Sequence, residues 1–193
     1  MTIDPLYAFV FFGLFSPGPN VILLTASGAR FGVKRTLPHL FGVVIGVGIT
    51  AGLTGLGIAA LLQQMPKLEF ALRIAASAWM LYMAWGLWNS ERRKKAEAAR
   101  PMTLIEAVLF QWVNPKVWAV ALAAVSAYPS AFGPLGEALR LGSAFSGLNL
   151  VVCLFWTSAG ALLTYLLSTP AAWRWFNRAM AIALASFSVM VFL

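Results

Sequence analysis

Charged residues are scarce in this sequence. Of its 193 residues, 10 % are charged and 61 % are hydrophobic, and the mean hydropathy is +0.81. An ordinary soluble domain is about 45–50 % apolar and about 25 % charged. The composition excludes a soluble enzyme, a disordered chain and a soluble domain on a membrane anchor. It predicts a small all-α integral membrane protein.

Cysteine and histidine are almost absent, with one residue of each type. Cys153 lies in an apolar run, so the sequence offers no internal disulfide, and we interpret it as a small apolar filler. Acidic residues are also few, and no carboxylate lies deep in an apolar run. Because a nucleophile–base pair and a metal-ligand set are both missing, we expect no enzyme, no metal site and no cofactor. The net charge of +8 falls in short connections, which is typical of topology signals and predicts no nucleic-acid partner.

Long apolar runs are what the sequence has instead. Each is long enough for a helix that crosses a hydrocarbon core of about 30 Å, and together they predict one transmembrane domain over residues 1–193. The N-terminus carries Asp4 and no basic segment, which favours a first span over a signal peptide. The six predicted spans run approximately from Ile3 to Ala26, Leu40 to Leu62, Leu68 to Trp88, Thr103 to Ala127, Gly142 to Leu167 and Trp175 to Leu193.

Lysine and arginine set the predicted orientation. Ten of them lie in or beside the first, third and fifth connections, and three lie on the other side. The positive-inside rule places the ten in the cytoplasm, so both termini are predicted to face outward. We interpret the basic run at residues 91–100 as a solvated cytoplasmic loop, although it could also bind anionic lipid.

Proline interrupts the first and fourth spans near their middles. Proline lacks an amide hydrogen and its ring clashes with the carbonyl four residues earlier. The breaks should therefore free the carbonyls of Gly13, Phe15 and Gln111. Paired interrupted helices at corresponding places in two halves are typical of the substrate site of a secondary transporter. The candidate binding residues are Pro17, Gly18, Pro19, Asn20, Asn114, Pro115 and Lys116.

The two halves, residues 1–90 and 101–193, could be inverted three-helix repeats. The run from Thr54 to Gly57 is echoed by the run from Thr157 to Gly160, and the prolines of the two breaks also correspond. Each half holds three predicted spans, so the second half would be inserted upside down relative to the first. The alternative is that the prolines only kink the helices and allow them to pack.

Lys116 lies too deep in the fourth span to reach either membrane surface. A cation at this depth costs about 2.5–3.5 kcal/mol on insertion scales, so it should face the bundle interior. We expect it to bind freed carbonyls or a substrate carboxylate, or to act only as a structural link across the break. Asn20 and Asn114 suit either substrate contact or bracing of the breaks.

Three further features are open to interpretation. The glycines of the second span, from Gly42 to Gly57, form a face for close packing against a helix of the same chain or of a second subunit, which would make a homodimer. Glu106 follows Thr103 at capping-box spacing, and we favour a helix cap over a role in proton coupling. His39 is interpreted as an ordinary interfacial histidine, although it could also titrate near neutrality.

These motifs resemble the LysE-type amino-acid exporter family. The resemblance rests on the proline-glycine-proline-asparagine element at residues 17–20, the loop ARFGVKR, the glycine-rich second span and the segment FQWVNPK at residues 110–116. It covers essentially the whole chain. It implies six helices and efflux of amino acids across a bacterial inner membrane, with a proton gradient as driving force. The termini that the positive-inside rule places outside would then be periplasmic. The second span lacks the ionisable residue of many family members, which leaves the proton route open.

The function we expect is secondary-active efflux of amino acids or related small zwitterionic metabolites. The lipid bilayer is the expected surrounding partner. The alternatives are a dedicated exporter of cysteine and O-acetylserine-like compounds, and a passive small-solute channel. A channel is disfavoured because the sequence shows no repeated ring of donors.

Overall fold

The computed structural model describes residues 4–58, 61, 64–90, 100–128, 130–190 and 192. Within this part of the chain all regular structure is helical, which confirms the predicted all-α class. The described helices are α1 (Pro5–Phe15), α2 (Pro19–Gly55), α3 (Pro66–Trp88), α4 (Leu104–Trp112), α5 (Pro115–Ala127), α6 (Pro134–Leu166) and α7 (Pro170–Met190).

Three of these helices, α2, α3 and α6, are long and apolar enough to cross a membrane. α4 and α5 make a fourth candidate span when taken together, although they are bent by 60° at the break between them. α1 is a shorter apolar helix. The chain is therefore a membrane protein with several spanning candidates and a broken fourth one.

Proline marks most helix starts. Six of the seven described helices begin at a proline. Its fixed φ suits the first turn of a helix, and its missing amide hydrogen costs nothing there because the amides of a first turn have no acceptor within the helix. α4 begins instead with the predicted capping box. The Thr103 hydroxyl accepts from the Glu106 amide at 3.2 Å, and the Glu106 carboxylate accepts from the Thr103 amide at 2.8 Å. Arg100 also donates two 2.6 Å hydrogen bonds to this carboxylate, so the helix-cap interpretation is confirmed.

The connection predicted between the first two spans is helical, so the boundaries at Ala26 and Leu40 were wrong. α2 continues through this region, and Gly32 alone leaves the helical conformation, with φ 76° and ψ 168°. Glycine adopts this left-handed φ without the steric cost of a side chain. Thr36 supports the turn by donating its hydroxyl to the Gly32 carbonyl at 2.9 Å. A one-residue turn thus divides α2 into two helical segments.

Two other helices begin before the apolar runs that were predicted as spans. α6 begins at Pro134 rather than Gly142, and α7 begins at Pro170 rather than Trp175. The predicted starts followed hydropathy, which changes gradually, whereas the prolines mark the first turns directly. The basic loop, apart from Arg100, and the predicted span ends at Leu62 and Leu193 lie outside the described residues.

The core consists of two clusters that meet on α2. The larger one joins α1, α2, α4, α5 and α6, and includes fully buried Leu6, Leu40 and Phe145. The smaller one packs α3 against α7 and reaches α2 and α4 through Ile22 and Phe110. Both breaks therefore lie among helices that are packed on several sides.

The glycine face of α2 is used within the chain. A Cβ at Gly46 would lie 2.6 Å from the Gln111 side chain of α4. A Cβ at Gly55 would lie 2.9 Å from the backbone of Ala138 on α6. Gly42 likewise faces α4, and Gly48 and Gly52 face α6. These close approaches explain the glycines without a second subunit.

Candidate functional site

The first break covers residues 16–18, between α1 and α2. The Gly13 carbonyl accepts from the Ser16 hydroxyl at 2.9 Å, and the Phe15 carbonyl accepts from the Trp156 indole at 3.3 Å. These are the two carbonyls that Pro17 and Pro19 were predicted to free. Both accept side-chain hydrogen bonds, which replace the helical partners that the prolines remove.

Lys116 joins the two breaks. It lies one residue into α5, and its ammonium group donates to the Ser16 hydroxyl at 3.0 Å and to the Pro17 carbonyl at 3.1 Å. It also donates to the Ser16 carbonyl. The half-buried lysine thus binds backbone carbonyls of the first break, but they belong to Ser16 and Pro17 and are not the carbonyls that the prolines were predicted to free. The cation of the second break thus contacts the backbone of the first break, although the two are about 100 residues apart in sequence.

Gln111 is a site residue that the sequence interpretation missed. It is fully buried, and its amide exchanges two hydrogen bonds with Asn20, at 2.8 and 3.1 Å. The Asn114 amide donates to the same Gln111 oxygen at 3.3 Å. This arrangement braces the breaks against each other, which is one of the two roles left open for the asparagines. The signal was a glutamine inside an apolar run, three residues before Asn114.

The Gln111 backbone carbonyl is not left open at the second break. It accepts a hydrogen bond from the backbone amide of Asn114 at 3.2 Å, in a tight turn. The expectation that Pro115 frees this carbonyl for a ligand was therefore wrong for this conformation. The neighbouring Trp112 carbonyl accepts from the Trp118 indole at 3.1 Å.

A cavity lies beside the two breaks. In this conformation its volume is about 20 Å³, which is room for about one water molecule. Its polar lining comes from three helices and consists of Asn20, Asn114, Lys116 and Asn149. The apolar lining includes Leu14, Val21, Leu24, Val117, Val152 and Trp156. An apolar wall with a few convergent polar groups is typical of a small-molecule site.

Four of the seven predicted site residues line this cavity: Gly18, Asn20, Asn114 and Lys116. The prolines have other places. Pro19 and Pro115 begin α2 and α5, and Pro17 contributes its carbonyl to Lys116. The structure thus brings together the two motifs that are about 100 residues apart in sequence.

Two buried amides in the cavity keep an atom without a hydrogen-bond partner. They are the Asn114 side-chain oxygen and the Asn149 side-chain nitrogen. Both residues are buried, at 1 % and 2 % exposure. Since buried polar groups are nearly always paired, each unpaired atom requires an explanation.

His39 is buried rather than interfacial, which corrects the expectation from sequence. It is 2 % exposed, and neither ring nitrogen has a hydrogen-bond partner. It lies on α2 after the Gly32 turn. Among the described residues, no group of three or more His, Cys, Asp or Glu side chains could hold a metal ion.

The helices and this site define a polytopic α-helical membrane protein in which two helix breaks are linked beside a cavity that has apolar walls and a few polar groups. Residues 11–193 match the family described as LysE type translocator. The chain belongs to this family, whose members are transporters, and the resemblance seen in the sequence motifs is confirmed.

Two efflux proteins are similar to the chain over part of their length. A leucine efflux protein of an Enterobacter species is 30 % identical, over 55 % of this chain and 53 % of its own. A cysteine/O-acetylserine efflux protein of Escherichia coli is 27 % identical, over 58 % of each chain. The matches thus span little more than half the length of these relatives. No solved structure matches the chain.

Proposed function

We propose that this protein exports amino acids or related small zwitterionic metabolites across the bacterial inner membrane, by alternating access around the two breaks. The observation that carries the proposal is the hydrogen bonding of Lys116 to the first break, beside a cavity that has apolar walls and a few polar groups. The family and the names of the two efflux relatives support the same function.

The site offers a partner for each charge of a zwitterion: the Lys116 cation for the carboxylate and neutral backbone carbonyls for the ammonium group. A substrate carboxylate would bind Lys116 in place of the backbone carbonyls that it holds now. It would also meet the N-terminus of α5, where the Asn114 side chain makes no capping hydrogen bond and the helix dipole favours an anion. The carbonyls that the lysine releases at Ser16 and Pro17 would then be free to accept from the substrate ammonium group.

Three helices and one bent pair are long and apolar enough to cross a membrane, and six spans in all remain part of the proposal. In this arrangement α1 and the first segment of α2 form one broken span, the second segment of α2 forms the next, and α4 with α5 forms the fourth. α3, α6 and α7 supply the others. The inverted repeats, the periplasmic termini and a homodimer stay predictions within this proposal.

Proton coupling belongs to the proposal, and His39 fits the proton route better than Glu106. Glu106 is held by its cap and by Arg100, whereas His39 is buried and has no partner that fixes its proton. We expect His39→Gln to remove the dependence of uptake on the proton gradient, because glutamine cannot carry the proton. Uptake into inverted vesicles, with and without an uncoupler, measures this; unchanged coupling would assign the route elsewhere.

Inverted membrane vesicles containing the wild-type protein test the function itself. With a proton gradient, they should accumulate at least one amino acid of a panel that includes leucine, cysteine and O-acetylserine. Equilibration without accumulation would instead identify a passive channel. Accumulation of cysteine and O-acetylserine alone would identify the dedicated exporter, and no uptake of any panel member would refute amino-acid export.

A further inference from the structure

We propose that Asn149 on α6 binds the substrate directly and that the α6 wall beside it accepts only uncharged amino-acid side chains. This rests on the proposed function, and it adds to the cavity a third helix that belongs to neither break. Asn149 lies near the middle of α6, far from both ends of that helix.

The first argument is the unpaired amide nitrogen of Asn149. The residue is 2 % exposed and lines the cavity, yet this nitrogen has no partner. A buried donor without a partner lowers the stability of the folded protein, because it has lost its hydrogen bond to water and gained none in return. A substrate that accepts its hydrogen bond would remove this penalty in the bound state.

The second argument is the complementary atom on Asn114. Its side-chain oxygen is an acceptor without a partner, in a residue that is 1 % exposed and lines the same cavity. One free donor and one free acceptor therefore belong to residues that line the same cavity as Lys116. A carboxylate can accept from Asn149 and Lys116, while an ammonium group can donate to Asn114.

The third argument concerns the side chain of the substrate. On α6, Val152, Cys153 and Trp156 line the cavity next to Asn149. Lys116 is the one charged residue in the described lining. A lysine substrate would have to bury its side-chain ammonium group with no protein carboxylate in the lining to pair it. A glutamate substrate would bring a second carboxylate, although Lys116 is already needed by the α-carboxylate. An unpaired buried charge is costly in a low-dielectric site.

Substrate binding to purified protein in lipid nanodiscs tests the proposal. Radiolabelled L-leucine, L-serine, L-lysine and L-glutamate are compared by scintillation proximity for the wild type and for Asn149→Leu. The substitution removes the amide but nearly keeps its size. We expect the wild type to bind leucine or serine in preference to lysine and glutamate, and Asn149→Leu to weaken that binding about tenfold to a hundredfold.

Asn177→Leu is the matched control. Asn177 is a buried asparagine on α7, away from the cavity lining, and its amide donates to Ser90 at 2.7 and 3.0 Å. Asn177→Leu should lower the melting temperature and leave binding unchanged. Asn149→Leu should weaken binding without lowering the melting temperature, because it removes a donor that has no partner.

Undiminished binding by Asn149→Leu would overturn the role of Asn149, and binding of lysine or glutamate as tight as that of leucine would overturn the substrate class. If the wild type binds and transports no amino acid, the proposed function itself fails.

Discussion

At the scale of single residues, Gly18 and Lys116 form the contact on which the site depends. Gly18 has φ −178°, an extended conformation that any residue can adopt. Its small size matters instead, because a Cβ there would lie 2.6 Å from Lys116 Cδ and 2.9 Å from Nζ. The glycine therefore makes room for the lysine to reach the first break.

Gly18→Ala should reduce transport more than it reduces stability. The added methyl group displaces the end of the lysine side chain, which is flexible enough to move but then loses its hydrogen bonds to Ser16 and Pro17. Uptake into inverted vesicles and the melting temperature of the purified protein check this. Gly86→Ala, where the added Cβ would meet nothing within 4 Å, is the control. Full uptake by Gly18→Ala would show that this contact is dispensable.

The residues of the breaks could be predicted from sequence because proline has a fixed chemistry. Its missing amide hydrogen located both breaks, and the depth of Lys116 in an apolar run indicated an inward-facing cation. Gln111 and Asn149 could not be assigned in the same way. Their roles depend on which helices meet at the cavity, and neither spacing nor hydropathy along one helix contains that information.

At the scale of helices, α2 and α6 approach each other closely at a pair of matching positions. A Cβ at Gly28 would overlap the Thr157 carbonyl, and a Cβ at Gly160 would overlap the Thr25 carbonyl. Both glycines therefore allow backbone-to-backbone contact between the same two helices. This crossing holds α6, which carries Asn149, against the segment that follows the first break.

Gly160→Ala should destabilise the protein by about 2 kcal/mol or more, since the overlap is with backbone and forces the helices apart. Gly147→Ala, on the same helix, should be stabilising by about 0.5–1 kcal/mol, because its Cβ would meet nothing within 4 Å and alanine favours a helix. Equilibrium unfolding of the two variants in detergent measures the difference. Equal stabilities would contradict the close crossing.

The helices themselves were predicted in kind but not in extent. Hydropathy located the apolar runs, yet it could not indicate that Gly32 alone turns the chain within α2. Prolines at helix starts would have corrected α6 and α7, since Pro134 and Pro170 begin them. Hydropathy indicates which residues are buried in apolar surroundings, whereas the ends of helices depend on residues such as proline and glycine that change the backbone.

At the scale of the whole molecule, the orientation follows from the distribution of lysine and arginine. Ten of these residues are predicted to lie in the cytoplasm and three outside, so the C-terminus should lie outside. A reporter that is active only in the cytoplasm, fused after Leu193, should therefore be silent. The same reporter inserted in the basic segment at residues 91–100 should be active. The reverse pattern would invert the orientation, and activity at both positions would change the number of spans.

The central claim is that the lysine linking the two breaks belongs to the transport site. Lys116→Ala removes the ammonium group that would bind the substrate carboxylate, while Lys67→Ala removes an exposed lysine at the start of α3. The most direct measurement is proton-driven uptake into inverted vesicles, at matched amounts of inserted protein. Lys116→Ala should reduce uptake to the level of vesicles without the protein, and Lys67→Ala should transport like the wild type. Normal uptake by Lys116→Ala would contradict the account.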